Sequence, residues 1–305
     1  AVTFMRQIAA IHPKAGYSPI LLVLVMGLAV LFTSGCQQVA AEPVEAPAIK
    51  PAITAAPVEL PTEEPALVVP TLPEPTAIPV LSSAVCSPLE GLTLSDVTSI
   101  KTNSLKLPSP GKDDGHHGID YSFWTFRGVD TIEGMGINSV LDGIVAGKVG
   151  NRFPYGYMVI IETPLEMLPP GLRSQLESIQ PQPVQDMSNS PLSCPAISST
   201  DFSSSRRSLY LLYAHMLEEV KLNPGDQVAC GEAIGQVGNS GDSSNAHLHF
   251  EARVGPSGFR FTEMAHYLND SSDIERLNYC AWRISGVFQL VDPQIIIDAG
   301  ASNSQ

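Results

Sequence analysis

The residues best suited to chemistry are concentrated in the run NAHLHFEAR at residues 245–253, where polar and apolar residues alternate. Alternation with period two is typical of a half-buried β-strand, in which successive side chains point to opposite faces. His247 and His249 therefore share one face of the predicted strand with Glu251 and Arg253. Two imidazoles at this spacing suit a metal ligand beside a catalytic group, but two unrelated surface histidines would give the same pattern.

Other histidines supply possible partners for this pair. His116 and His117 precede Asp120 in the run GHHGID, and His215 lies in the run YAHM. A catalytic zinc site uses three protein ligands and keeps a further position open. His116, Asp120 and His249 could provide those three ligands. Two neutral imidazoles and one carboxylate leave the metal centre positively charged, which lowers the pKa of bound water and polarises a carbonyl.

Four short motifs occur in a fixed order: HxGxD at 116–120, YAH at 213–215, PGDxV at 224–228 and HLHFE at 247–251. Together they resemble the lysostaphin- and LytM-type zinc metallopeptidases, which cut peptide bonds in bacterial peptidoglycan. The resemblance covers about residues 110–163, 208–254 and the tail near 291–293. It implies a mainly antiparallel β-sheet with the metal at the floor of a groove.

The resemblance also implies a role for each matching residue. His116, Asp120 and His249 correspond to the ligands of one zinc ion per chain. His215 and His247 correspond to the catalytic histidines that act on the water, the carbonyl or the leaving group. An imidazole suits both proton transfers because its ordinary pKa lies near neutrality. The sequence leaves open which histidine is the general base, and it assigns no tyrosine to the oxyanion.

For several neighbouring residues the sequence gives weaker indications of a functional role. His117 fills a position that varies in the family pattern, and His266 is expected to cap or pack within an insertion. Glu251 either orients a metal ligand from behind or is an ordinary surface residue. The small-residue loop at 239–244 is predicted to form the rim of the groove.

Short β-strands are the elements expected to position these residues. The clearest predicted strands are Gly143–Val149, Tyr157–Glu162, Ser208–His215 and Ala246–Val254. The run NPGD at residues 223–226 predicts a tight turn. The fold class that follows is mainly β, an antiparallel β-sheet metallopeptidase domain with a zinc groove.

Two stretches interrupt the strand pattern and are predicted to be irregular insertions. Residues 164–205 are rich in Pro, Ser and Gln, with a short helix expected over Leu172–Ile179. Residues 255–283 form the second predicted insertion, with a helical run expected around Thr262–Leu268. Segments of this length without a strong pattern commonly lie on the surface of a compact domain.

The N-terminal 36 residues are predicted to be a signal peptide. Ile20–Phe32 is apolar and too short to span a bilayer comfortably, since about 20 residues are needed. The end of this segment, FTSGC, resembles a bacterial lipobox with Cys36 as the lipidated residue, although Thr33 stands where Leu is usual. The alternatives are ordinary signal-peptide cleavage and an uncleaved anchor.

Residues 37–84 are rich in Pro, Ala and Val and are predicted to be a disordered tether. A cleaved pro-segment is the alternative. The metallopeptidase domain is predicted to occupy residues 85–305. The predicted localisation is therefore extracytoplasmic, on the membrane through a lipid at Cys36 or associated with the cell wall.

The net charge and the cysteine content limit the functions and covalent links that the chain can have. The net charge of −14 argues against nucleic-acid binding, which needs a basic surface. Besides Cys36, an even number of cysteines permits two disulfides in an exported chain, with three possible pairings. Buried free thiols are the alternative for these four: Cys86, Cys194, Cys230 and Cys280. The sequence makes no prediction of the oligomeric state.

The leading functional hypothesis is an exported zinc endopeptidase that acts on stem or cross-bridge peptides of peptidoglycan. The alternative is a catalytically silent relative that binds the cell wall or regulates an amidase. Such relatives lose metal ligands, whereas this chain has a residue of the right type at all five key positions. A third possibility, a lipoyl-type carrier, would need a lysine at a hairpin tip, and no lysine follows Lys221.

Overall fold

A computed structural model describes residues 84–110, 112–180, 182, 192–197 and 205–302. The predicted signal peptide at 1–36 and nearly all of the predicted tether at 37–84 lie outside these residues, as does much of the first predicted insertion. Among the described residues, no helix has the length and apolar character needed to cross a membrane.

The described part of the chain contains ten strands and four α-helices. The strands are β1 Lys101–Asn103, β2 Ile119–Tyr121, β3 Gly136–Asn138, β4 Gly143–Arg152, β5 Gly156–Pro164, β6 Arg207–Met216, β7 Gln227–Val228, β8 Ala233–Gln236, β9 Leu248–Pro256 and β10 Gln289–Val291. The helices are α1 Leu94–Ser99, α2 Pro170–Glu177, α3 Asp273–Arg283 and α4 Gln294–Ser302.

Eight strands form one antiparallel sheet in the order β1-β2-β9-β6-β5-β4-β7, with β10 continuing along the same edge of β9 as β2. β3 and β8 form a separate pair. The prediction of a mainly antiparallel β fold is therefore confirmed. β9 is hydrogen-bonded along both edges, to β6 on one side and to β2 and β10 on the other.

Two apolar cores cover opposite faces of the large sheet. The lower core contains Leu248 and Phe250 of β9 and buried residues of α1, α2 and α4. The upper core contains Leu212 and Ala214 of β6, packed with Trp282 and other residues of α3. Alternate residues of one strand thus enter different cores, so the sheet is buried on both faces.

All four strands predicted most clearly from the sequence are present. They correspond to β4, β5, β6 and β9, with ends that differ by a few residues. The NPGD turn is also confirmed, since the Asp226 amide donates to the Asn223 carbonyl at 3.0 Å and Gly225 has a φ of 99°. The helix expected over Leu172–Ile179 appears two residues earlier, as α2.

The helix expected around Thr262–Leu268 is wrong: those residues are not helical, and the helix begins at Asp273. Its N-cap is Ser272, whose side chain accepts from the Glu275 amide while the Glu275 carboxylate accepts from the Ser272 amide. This reciprocal arrangement satisfies amides that have no partner inside the helix. The sequence SDIE at residues 272–275 therefore indicates the start of this helix.

Two disulfides settle the pairing that the sequence left open. Cys86 pairs with Cys230, which ties the start of the folded region to the turn between β7 and β8. Cys194 pairs with Cys280, which ties the 164–205 segment to α3. Free thiols at these four positions are excluded. The Cys194–Cys280 disulfide thus links the two predicted insertions to each other covalently.

Candidate metal centre

The register between β2 and β9 brings the first two predicted ligands together. Asp120 and His249 are direct cross-strand partners, so their side chains project from the same face of the sheet. The His249 Nδ1 atom lies 2.8 Å from Asp120 Oδ1. A contact of this kind between residues 129 positions apart depends on the strand pairing and cannot be read from local sequence.

His116 approaches the same carboxylate oxygen, with 3.1 Å between its Nε2 atom and Asp120 Oδ1. Its Nδ1 atom lies 2.9 Å from the Ser104 carbonyl oxygen. Because a carbonyl can only accept, Nδ1 must carry the hydrogen, and in the neutral ring Nε2 then carries the lone pair. The backbone therefore holds His116 in the tautomer that can bind a metal through Nε2.

His249 is held in the complementary way. Its Nε2 atom lies 3.1 Å from Glu251 Oε1, so the Nε2 hydrogen points at a carboxylate and leaves Nδ1 facing Asp120. A carboxylate behind a ligating imidazole fixes the tautomer and the ring orientation. Of the two interpretations of Glu251 offered by the sequence, the surface residue is wrong, because Glu251 is fully buried.

The donor set fits a bound cation. In neutral rings of these tautomers, His116 Nε2, His249 Nδ1 and Asp120 Oδ1 all present lone pairs to one another. Their mutual approach within 4.8 Å therefore requires positive charge between them, from protons or from a metal ion. Two imidazoles and one carboxylate make a donor set that zinc accepts in catalytic sites.

The pKa directions show the same requirement for positive charge. Burial alone would raise the pKa of Asp120, but hydrogen bonds from His116 and His249 hold it well below its ordinary value. Burial alone would lower the pKa of His249, but hydrogen bonds to Asp120 and Glu251 raise it to about 9. Without a metal, a proton on His249 compensates the nearby carboxylates.

His215 reaches the cluster through an irregularity in β6. Tyr157 and Val159 of β5 pair with Met216 and Tyr213, so two residues of β6 face only one residue of β5. His215 has a φ of 58°, in the left-handed region that favours glycine. A β-bulge of this kind changes the direction of a side chain.

The bulge decides on which face His215 lies. Tyr213 belongs to the lower core, and strict alternation would send His215 to that face as well. Its ring instead lies on the opposite face, with its centroid 5.6 Å from that of His249 and 4.7 Å from that of His247. Burial, assisted by the neighbouring His249, lowers the pKa of His215 to about 3, so its ring is neutral at pH 7.

His247 lies immediately before β9 and completes the cluster. Its Nδ1 atom lies 2.8 Å from the Asn245 carbonyl oxygen, and its Nε2 atom lies 3.5 Å from Asp120 Oδ1. His215 is oriented similarly, with Nδ1 2.7 Å from the Ser240 carbonyl oxygen. Both rings thus donate from Nδ1 to a backbone carbonyl and direct Nε2 toward the site.

The five predicted site residues therefore come together, but they offer two possible metal sets. One set is His116, Asp120 and His249, and the other is His215, His247 and His249. Only the first contains a carboxylate, the group on which the other imidazoles converge. The assignment of ligands and catalytic residues made from the sequence stays a prediction.

The cluster lies in a cavity of about 790 Å³. Asp242 and Ser243 of the predicted rim loop line it, together with Tyr155 and three residues of the second insertion, Tyr267, Tyr279 and Arg283. This size is within the roughly 300–1,000 Å³ of typical ligand cavities. A peptide segment could therefore reach the imidazoles from solvent.

Beyond His249, the polar face of β9 is not an exposed groove floor. The predicted half-buried strand is buried on both faces, because α3 covers Glu251 and Arg253. The Glu251 carboxylate accepts from Trp282 Nε1 at 2.8 Å and from Tyr155 Oη at 2.8 Å. Arg253 Nη2 lies 3.2 Å from Glu251 Oε2, so two opposite charges are buried together.

Some of these contributors were missed by the sequence reasoning. Asp113 accepts from Arg283 Nε at 2.6 Å and from the hydroxyls of Tyr267 and Tyr279. The segment preceding His116 is thereby bound to the second insertion. The capping sequence before α3 would have placed this helix, and its i, i+4 spacing puts Tyr279 and Arg283 on one face.

The other two described histidines lie outside the cluster. His117 is buried, accepting from Arg253 Nη2 at 2.7 Å and facing the Asp114 carbonyl through Nε2. His266 packs between Tyr267 and Tyr279, as expected for a residue of the insertion. It also approaches Cys194 and Cys280, but their sulfurs are joined and present no thiolate to a metal.

Comparison with known proteins supports the resemblance over part of the chain. The model for Peptidase family M23 matches residues 203–260. This stretch contains His215, His247 and His249, whereas His116 and Asp120 lie outside it. The family resemblance stated from the sequence is confirmed there. No curated protein matches the chain.

Several solved structures are similar at low identity. A variant of the catalytic domain of the prophage-encoded M23 protein EnpA from Enterococcus faecalis is 22% identical, covering 53% of this chain and 87% of that one, with a TM-score of 0.30. The catalytic domain of the antimicrobial peptidase lysostaphin from Staphylococcus simulans is 15% identical, covering 68% and 98%, with a TM-score of 0.34.

A zinc-containing peptidase from Vibrio cholerae is 16% identical, covering 56% of this chain and 36% of that one, with a TM-score of 0.29. This chain thus spans about a third of that protein's length.

Proposed function

We propose that this chain is an exported zinc-dependent endopeptidase that hydrolyses peptide bonds in the stem or cross-bridge peptides of bacterial peptidoglycan. The observation that carries the proposal is the convergence of the imidazoles of His116, His247 and His249 on Asp120 Oδ1, at 2.8–3.5 Å, in an open cavity. The match of residues 203–260 to a peptidase family supplies the reaction class.

The proposed ligands of one Zn²⁺ are His116 through Nε2, Asp120 through Oδ1 and His249 through Nδ1. When bound there, zinc polarises a substrate carbonyl and lowers the pKa of water toward neutrality. Glu251 accepts a hydrogen bond from His249 Nε2, and the Ser104 carbonyl accepts one from His116 Nδ1. These two contacts keep both rings in the ligating tautomer.

His215 and His247 are the proposed catalytic residues. Peptide hydrolysis needs one proton removed from the attacking water and one delivered to the departing amine. Each ring donates from Nδ1 to a backbone carbonyl, so its Nε2 atom is the position that accepts and later releases a proton. The ring centroids lie 4.7 Å apart, so one substrate group can contact both residues.

The test is digestion of purified peptidoglycan by the zinc-loaded protein, followed by mass spectrometry of the released fragments. Peptidoglycans with glycine bridges and with direct D-Ala-containing cross-links should be compared, because the bond cleaved is open. New amino termini that appear with zinc and disappear with a chelator are expected. Stoichiometric zinc without fragments from any wall type would instead favour a silent wall-binding relative.

We also propose the domain organisation predicted from the sequence: an export signal at 1–36, a tether at 37–84 and the peptidase domain at 85–305. In this proposal the lipid at Cys36 holds the protein on the membrane, and the tether carries the domain toward the wall. Cys36→Ser should release the protein from membrane fractions while its zinc content stays unchanged. Unchanged membrane association of that variant would count against lipidation.

A further inference from the structure

A second, smaller cavity adjoins the candidate metal centre. Its volume is about 230 Å³, and its wall includes Trp124, Thr131 and Glu133. Ser244 and Asn245 line both this cavity and the larger one, so the two adjoin at these residues. A ligand that is longer than the smaller cavity can therefore reach past them toward the candidate metal site.

Trp124 is the most exposed large apolar side chain of the described residues, at 78%. Exposing an indole ring to water is unfavourable, because its apolar surface is more stable when it is removed from water. An exposed tryptophan beside a cavity is thus a candidate contact for a ligand, since its rigid ring offers a large apolar surface.

The loop that carries Trp124 is fixed by its neighbours. Phe123 and Phe126 pack against the lower core, with ring centroids 5.7 Å apart. Phe126 and Val129 exchange two backbone hydrogen bonds of 2.9 Å, and Arg127 forms a 2.6 Å ion pair with Asp96 of α1. The loop thus has its anchors on either side of Trp124 and still presents the indole to solvent.

The chemistry of the cavity wall favours a neutral, hydroxyl-rich ligand. Amide and hydroxyl groups of Asn239, Asn245 and Thr131 can both donate and accept hydrogen bonds. The only charged lining residue is Glu133, which disfavours an anion. A pyranose ring combines an apolar face of C–H groups, suited to an indole, with a rim of hydroxyls suited to these polar groups.

A peptide strand fits this wall less well. β2, which ends one residue before Ser122 of the cavity wall, is hydrogen-bonded to β1 on one edge and β9 on the other. β2 itself therefore offers no free edge for strand addition at this wall. The cavity is also smaller than the roughly 300–1,000 Å³ of a typical ligand site, which suits a single ring.

We propose that Trp124 and the polar wall of this cavity bind one neutral pyranose unit of a saccharide chain, placing the attached peptide in the metal cavity. Trp124 would be a specificity-determining residue that recognises the sugar and takes no part in hydrolysis. The inference rests on the proposed function in one respect: that function identifies the saccharide as the N-acetylated glycan of peptidoglycan. The binding itself requires no hydrolysis and can be measured separately.

The first test is calorimetric titration of the full protein with a tetramer of N-acetylglucosamine. Trp124→Ala should lower the affinity about tenfold, equivalent to about 1.4 kcal/mol. Leu107→Ala is the matched control, because Leu107 is 74% exposed and lines neither cavity. Absence of binding by the unaltered protein, or equal loss in both variants, would overturn the proposal.

Intrinsic fluorescence gives an independent measure, since the chain has two tryptophans and Trp282 is fully buried. Saccharide binding should therefore shift the emission of Trp124. Trp124→Phe keeps an aromatic face and should retain most of the affinity while losing the fluorescence response. Loss of affinity equal to that of Trp124→Ala would show that the aromatic face is not the contact and would overturn the proposal.

The second test compares cross-linked peptides with and without their attached glycan as substrates. Trp124→Ala should raise KM about tenfold for the glycan-bearing substrate and leave KM and kcat for the free peptide unchanged. An equal rise for both substrates would mean that the cavity binds peptide, which overturns the saccharide assignment. Saccharide binding without cleavage of either substrate would refute the proposed function and leave the sugar site standing.

Discussion

The polar face of β9 has two ends that differ in access to water. At the first end, His247 and His249 line an open cavity of about 790 Å³ and converge with the carboxylate of Asp120. At the second end, Glu251 and Arg253 lie beneath α3 and line no part of that cavity. The same alternating pattern thus produces an open half and a sealed half.

The difference shows how one strand can carry both the side chains that face the cavity and the side chains that orient them. Open-half residues present imidazole nitrogens to the cavity, where a cation or a substrate can reach them. In the sealed half, Glu251 accepts from His249, Tyr155, Trp282 and Arg253, so burial is compensated by charge and hydrogen bonds. Substituting a residue of the open half should change metal binding or hydrolysis. Substituting a residue of the sealed half should change the orientation of the ligands and the stability of the protein.

The largest effect is expected from His249→Ala in the open half. His249 belongs to both possible metal sets, so its loss should abolish stoichiometric zinc binding and hydrolysis together. Metal content per chain and peptide release measure the two effects. Zinc retained at one ion per chain would contradict the assignment of His249 as a ligand.

His247→Ala distinguishes the two metal sets. If His116, Asp120 and His249 hold the metal, this variant should keep its zinc while hydrolysis falls by about 10²–10⁴-fold, the usual contribution of a general acid or base. Asp120→Ala is the comparison, because it should lose the zinc. The opposite pattern, with zinc lost from the first variant and retained in the second, would favour the three-histidine set.

Glu251→Gln tests the link between the two halves. It removes the charge that orients His249, and a change of this kind typically lowers metal affinity about 10–100-fold. Competition with a zinc chelator measures that affinity. Glu162→Gln is a matched control, since Glu162 is also buried and pairs with Arg260 but lies away from the cavity. Equal zinc affinity in both variants would disprove the orienting role.

The smallest effect is expected at His117, which contacts Arg253 of the sealed half. Burial and the neighbouring Arg253 lower its pKa to about 3, so the folded state holds the neutral ring. Because its ordinary pKa is 6.5, this contribution to stability is present above pH 6.5 and is lost as the pH falls toward 3. The loss should reach about 2 kcal/mol between pH 6.5 and about 4.5.

His117→Gln should therefore lose less stability in acid than the unaltered protein. Urea unfolding at these two pH values, with both proteins freed of metal, measures the difference. Identical pH dependence in the two proteins would mean that His117 does not titrate as its burial requires.

Prediction from sequence succeeded where the determinant was local. The period-two pattern of residues 245–253 placed His247, His249, Glu251 and Arg253 on one face, and β9 has them there. The helix predicted around Thr262–Leu268 was wrong, since those residues are not helical and the helix begins at Asp273. The capping signal at Ser272 and Glu275, which satisfies the free amides of the first turn, marked the true start.

By itself the sequence determined which residues could bind a metal and which strand faces they occupy, since side-chain alternation follows from backbone geometry. Two matters were decided by tertiary structure. His215 lies at the site only because a bulge in β6, visible from its pairing with β5, reverses the expected direction of its side chain. Glu251 is buried only because α3, fixed by the Cys194–Cys280 disulfide, covers the sheet there.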